Sequence, residues 1–139
     1  MTLSRKAIRP FQTAFLLAHN VLPVSIDYRL CPEISLIDGP IADTRDAYAW
    51  VQTGGLQAAV RSKGIAVDAK RIVVIGWSTG GHLAMTTAWT SKDAGLQPPV
   101  AILSFYGPTD FESGGESSIA PCTISVLGSA LWPLVGVVE

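Results

Sequence analysis

Five residues in this 139-residue chain have types and spacing that could do chemistry: Gly76-Trp77-Ser78-Thr79-Gly80. They stand between a β-rich pentapeptide, Arg71–Ile75 (RIVVI), and a helical stretch, His82–Lys92. A serine at such a junction is expected on a very tight strand-to-helix turn, in a strained backbone conformation, with its hydroxyl raised above the sheet. Side chains two residues before and after it would collide, so Gly76 and Gly80 suit the turn, and Gly81 adds room where helix passes strand. The following helix directs its free amides and positive dipole end at the serine. Ser78 is therefore the candidate nucleophile and the Thr79 amide the candidate oxyanion donor, for acyl transfer through a covalent intermediate. The alternative is a phosphate-binding or purely structural turn. The G-K-[ST] ending of a P-loop and the G-x-G-x-x-G of a dinucleotide site are both lacking.

A nucleophilic serine needs an imidazole to take its proton and a carboxylate to orient that imidazole. The chain has two histidines. His19 closes a helix expected to run to the far end of the sheet, away from Ser78, where a packing role suits it better. His82 lies one turn into the helix that follows the serine, and is a candidate base against a helix-start packing role. Asp110 follows the strand at Val100–Tyr106 and is a candidate acid, although Asp-Phe after Pro-Thr also suits a turn or cap. Asp27, Arg29 and Glu33 read as an ion-pair and hydrogen-bond cluster bracing a loop. No paired carboxylates suggest a glycosidase, no metal-ligand spacing occurs, and neither a metal nor an organic cofactor is expected.

The elements that must position these groups alternate. Phe11–His19 reads as a helix after Pro10, and Val21–Tyr28 as a strand with Pro23 near its start. Helices follow over Ile41–Gln52 and Leu56–Lys63, ended by Gly54-Gly55 and Gly64. Arg71–Ile75 and Val100–Tyr106 (VAILSFY) are apolar runs of the kind buried in parallel sheets. The expected class is α/β, a parallel sheet with right-handed βαβ crossovers, whose functional loops begin at Arg29, Gly76 and Gly107. Residues 1–111 form one domain; residues 112–139 form an atypical apolar tail.

Composition bounds the function classes. Ten bases against eleven acids and 48% hydrophobic residues describe a globular chain without the basic stripe of a nucleic-acid binder. Residues 1–92 carry a net +4 and residues 93–139 a net −5. The most apolar run, 123–138, is interrupted by Gly128, Pro133 and Gly136, and at 16 residues is shorter than the roughly 20 needed to span a bilayer. Cys31 and Cys122 do not make a disulfide framework. No secretory signal or peroxisomal tripeptide is seen, so the default location is the cytoplasm.

The Ser78 turn, Gly80-Gly81-His82-Leu83-Ala84 and Asp27-Tyr28-Arg29-Leu30-Cys31-Pro32-Glu33 together resemble the α/β-hydrolase superfamily. More narrowly, they resemble its hormone-sensitive-lipase-like serine esterases, whose motif after the fourth strand is D-Y-R-L-x-P-E. Asp38-Gly39-Pro40 with Asp43 and Asp46 is similar to fungal members, some of them tailoring hydrolases of secondary metabolism. The resemblance covers about residues 11–111.

It implies a partial α/β-hydrolase fold with a nucleophile elbow at Ser78. It also implies an H-G-G oxyanion loop upstream, an acid and a histidine downstream, and a strand between Val21–Tyr28 and Arg71–Ile75. None of these is recognisable, so the chain is expected to be a truncated member. Its two flanking strands must pair directly, leave a gap or borrow a strand. The implied activity is hydrolysis of esters of small apolar molecules, with no cofactor. The alternatives are a non-catalytic scaffold acting as an interaction module, and a site completed by a partner chain. Bare sheet edges also invite self-association.

Overall fold

Proline opens the first helix: Pro10 fixes the initial φ and needs no hydrogen-bonded N–H. The structure, a computed structural model, describes residues 8–107 and the backbone of 131–137. Helix α1 (Pro10–Ala18) leads into strand β1 (Val21–Pro23). A π-helical turn, Ile37–Ile41, contains Pro40 and runs directly into α2 (Ala42–Gln52). After Gly54, at φ 93°, come α3 (Gly55–Val60) and a 3-10 turn, Arg61–Lys63. Strand β2 (Ile72–Trp77), helix α4 (Thr79–Asp93) and strand β3 (Ala101–Phe105) form the central unit, and β4 (Leu131–Val137) follows.

The sheet order is β1-β4-β2-β3. β2 and β3 are parallel, and β4 runs antiparallel to both β1 and β2. Hence β1, β2 and β3 share one direction. The α/β class is as expected, and the slot between β1 and β2 is filled by a strand from the C-terminal part of the chain. In it Leu131 pairs with Gly76, Pro133 with Val74 and Val135 with Ile72.

Two strands differ from expectation. Only Val21–Pro23 of the run to Tyr28 is paired, because Pro23 offers no N–H to continue the ladder. Val24, Ile26 and Tyr28 still pack on the core at every second position. β3 was expected to be buried, yet most of it is exposed. It is the terminal strand of the described sheet, with a neighbour on one side only.

Alternation in β2 (Ile72, Val74 and Gly76 buried, Val73, Ile75 and Trp77 half-buried) defines the core face. Ile72 and Val74 meet Leu83 and Ala84 of α4, Tyr48 and Val51 of α2, and Leu56 of α3. α4 is unusually polar for a buried helix. Its Thr86, Thr87 and Ser91 hydroxyls donate to carbonyls one turn back (2.8, 3.0 and 2.6 Å), so their burial leaves no hydroxyl unsatisfied. Tyr48 Oη and Gln52 Nε2 both donate to the Gln97 carbonyl, at 2.7 and 2.8 Å, tying α2 to the segment that enters β3. Burial pushes the Tyr48 phenol up to about 12.

Candidate functional site

Ser78 occupies the one-residue joint between β2 and α4, at φ 55° and ψ −124°. That region is nearly closed to side-chain-bearing residues and costs about 1–3 kcal/mol. The joint is pinned on both sides. The Ser78 amide donates to the Phe105 carbonyl of β3 (2.9 Å), and the Ser78 carbonyl accepts from Gly81 (2.8 Å) and His82 (3.3 Å). The first-turn amides of a helix lack intrahelical acceptors, and Thr79 supplies the first of them at the positive end of α4.

The glycines define how tight the joint is. A Cβ on Gly76 would lie 1.9 Å from the Gly80 carbonyl oxygen and 2.6 Å from the Gly81 nitrogen, both backbone atoms. A Cβ on Gly81 would lie 2.7 Å from Ser104 Oγ and 3.1 Å from Gly107 Cα. Gly107 escaped the sequence reading as part of this joint. Its own Cβ would come within 2.8 Å of the His82 nitrogen, so the chain leaving β3 is pressed against the start of α4. The only available signal was its place directly after an apolar strand.

His82 is half-buried and shares the first turns of α4 with Ser78. His19 lies just before β1 begins, at the end of the sheet opposite Ser78, as its helix predicted. Its Nδ1 is 2.8 Å from the Phe15 carbonyl and its ring is 4.3 Å from that of Phe15. Asp110 lies outside the described residues. Among the described residues no group of three or more His, Cys, Asp and Glu could hold a metal ion. Likewise no helix among them is long and apolar enough to cross a membrane.

The loop after β1 is braced through Asp43, a carboxylate outside the anticipated cluster. Asp43, in the first turn of α2, takes the Arg29 guanidinium at 2.6 Å and accepts the Arg29 backbone amide at 2.7 Å. Arg29 also donates to the Asp38 carbonyl at 2.9 Å. These hydrogen bonds hold Asp43 below the usual carboxylate range. The half-buried Tyr28 phenol is pushed up to about 12 by desolvation. Further along the loop, Cys31 precedes a cis proline, Pro32.

On the face of β2 opposite the core, Trp77 stacks on Phe105, with centroids 5.3 Å apart and planes within 11°. A groove of about 290 Å3 runs between this pair and α1, lined by Phe11, Gln12, Phe15, Leu16 and Ile75.

Comparison with known proteins agrees with this geometry. A family model of the alpha/beta hydrolase fold matches residues 7–127. The non-reducing polyketide synthase atr1 of Stereocaulon alpinum is 66% identical over 113 residues, which is 81% of this chain and 4% of the relative. Preu6 of Preussia isomera, also a non-reducing polyketide synthase, is 64% identical over 115 residues, 82% of this chain and 5% of the relative. A third such synthase, ascC of Acremonium egyptiacum, is 62% identical over 112 residues, with 81% and 5% covered. The chain thus spans only 4–5% of the length of these curated relatives. No solved structure matches it.

Proposed function

This chain belongs to the alpha/beta hydrolase fold family, and on that premise we propose that it carries the nucleophile of a serine acyl hydrolase. The observation that carries the reading is the backbone of Ser78, φ 55° and ψ −124° between strand and helix. Nothing in packing alone requires a serine rather than a glycine at such a φ. A hydroxyl held there at the amino end of a helix suits attack on an acyl carbon.

In this reading Ser78 Oγ forms a bond to the acyl carbon of an ester or thioester while its proton passes to an imidazole. The carbonyl oxygen becomes an oxyanion facing the Thr79 amide. Collapse expels the alcohol or thiol, which takes that proton, and water then releases the acid by the same steps. His82 and Asp110 are the chain's own candidates for imidazole and carboxylate, on sequence grounds. The relatives' names bring in polyketides, so the proposed substrates are small apolar acyl esters or thioesters of fungal secondary metabolism.

The test is intact-mass detection of a fluorophosphonate adduct on the purified chain, with Ser78→Ala as control. One adduct on the native chain and none on the variant is the expected result. A folded native chain that takes no adduct would overturn the reading in favour of a non-catalytic scaffold.

A further inference from the structure

Helix α1 is amphipathic in the wrong sense for a surface helix. Phe11, Ala14, Phe15 and Ala18 share one face at helical spacing and are all exposed, with Phe11 at 68% and Phe15 at 62%. The polar Gln12 and Thr13 are half-buried instead. A solitary surface helix places its polar residues outward. No side chain of α1 carries a formal charge.

Beside this aromatic ridge lies the groove floored by Ile75, Trp77 and Phe105, in which Gln12 is the only polar lining residue among the described residues. Leu103 and Phe105 extend the floor along β3, 40% and 42% exposed. Ridge and groove therefore form a single patch, one convex and one concave, lying side by side.

We infer that this patch is an interface between two copies of the chain. A two-fold axis between ridge and groove seats each Phe11–Phe15 ridge in the partner's groove, an isologous contact that closes on itself. The surfaces brought together carry no formal charge, so like-charge repulsion does not oppose the contact. With roughly 200 Å2 for a fully exposed aromatic side chain, the exposed fractions of Phe11, Phe15, Leu103 and Phe105, with the two alanines and the groove floor, come to roughly 600 Å2 per copy. Two copies then bury about 1,200 Å2, at the small end of specific interfaces, which suits a reversible dimer.

The test is sedimentation equilibrium on the 139-residue chain, with folding checked by circular dichroism. The expected native result is a mass near twice 14.7 kDa at about 100 µM and near 14.7 kDa below about 1 µM, the range of a transient interface. Phe15→Asp, at an exposed helix position, is expected to weaken association at least tenfold while folding normally. Leu103→Lys, on the floor of the groove, should do the same and gives an independent check. A native chain monomeric at every concentration would assign the face to some other occupant, and overturn the inference. So would association that neither variant weakens.

Discussion

Replacing Gly76 with alanine tests the elbow most directly. The added methyl would sit 1.9 Å from the Gly80 carbonyl oxygen, 2.2 Å from its carbon and 2.6 Å from the Gly81 nitrogen. Carbon and oxygen in van der Waals contact stay about 3.3 Å apart or more, so the start of α4 must retreat by over about 1 Å. Retreat strains or breaks the Ser78–Phe105 and Gly81–Ser78 hydrogen bonds, each worth about 1 kcal/mol. Overpacking adds about 1–3 kcal/mol. The expected loss is about 3–5 kcal/mol, a large share of the 5–15 kcal/mol typical of a domain. With a urea m-value of about 1.5–2 kcal/mol/M, the unfolding midpoint should fall by roughly 2 M. Fluorophosphonate labelling at Ser78 should slow about 100-fold, the usual cost of a 1 Å misplacement. Gly95→Ala is the reference. Gly95 has φ +71° and nothing within 4 Å of its Cβ, so the substitution costs only the left-handed penalty of about 1–2 kcal/mol and leaves labelling unchanged. Equal stability and labelling for Gly76→Ala and the native chain would refute the tight joint, as would a Gly95→Ala cost as large as that of Gly76→Ala.

Two further predictions concern strain and acid. Ser78→Gly removes the side chain from φ 55° and should be more stable than Ser78→Ala by roughly 1 kcal/mol in thermal unfolding, with labelling abolished in both. The reverse order would mean that the joint is unstrained. Asp43 is held below its unfolded value of about 3.9, so its contribution is present above that pH and is lost as pH falls through the lower folded value. Asp43→Asn should therefore flatten the acid limb of stability against pH, and an unchanged limb would place the acid sensitivity elsewhere.

The elbow was legible because the need for it is local: three glycines and a serine at fixed spacing carry the clash constraints themselves. Helices α2 and α4 were legible for the same reason, through Pro40, Gly54 and apolar spacing. Whatever depended on distant pairing was not. The apolar run VAILSFY reads as a buried strand, but its exposure is decided by how many strands lie beyond it, and the described sheet has none. Pro133 and Gly136 argue against a central strand by local rules, yet the backbone of 131–137 fills the slot between β1 and β2. A two-sided vacancy between apolar strands outweighs one missing N–H. Sequence proximity groups Arg29 with Asp27 and Glu33 but does not reveal its bond to Asp43, fourteen residues away.

The direction of β4 bears on the chemistry. Because it runs against β2 and its first residue pairs with Gly76, Leu131 enters the sheet at the Ser78 edge. Gly107, packed against the first turn of α4, leaves the sheet at that same edge. Gly107 and Leu131, the described residues on either side of 108–130, therefore both lie at the Ser78 edge of the sheet. Asp110 follows Gly107 by three residues in the sequence. It remains the sequence's candidate for the carboxylate that would orient a base for Ser78. If Asp110 orients that base, Asp110→Asn should slow fluorophosphonate labelling at least tenfold and alter its pH profile, since the carboxylate supports the imidazolium that forms. Asp110→Glu should restore part of the rate, which a turn or cap role does not predict. Labelling at the native rate in Asp110→Asn would remove Asp110 from the site and leave Ser78 dependent on a carboxylate from elsewhere.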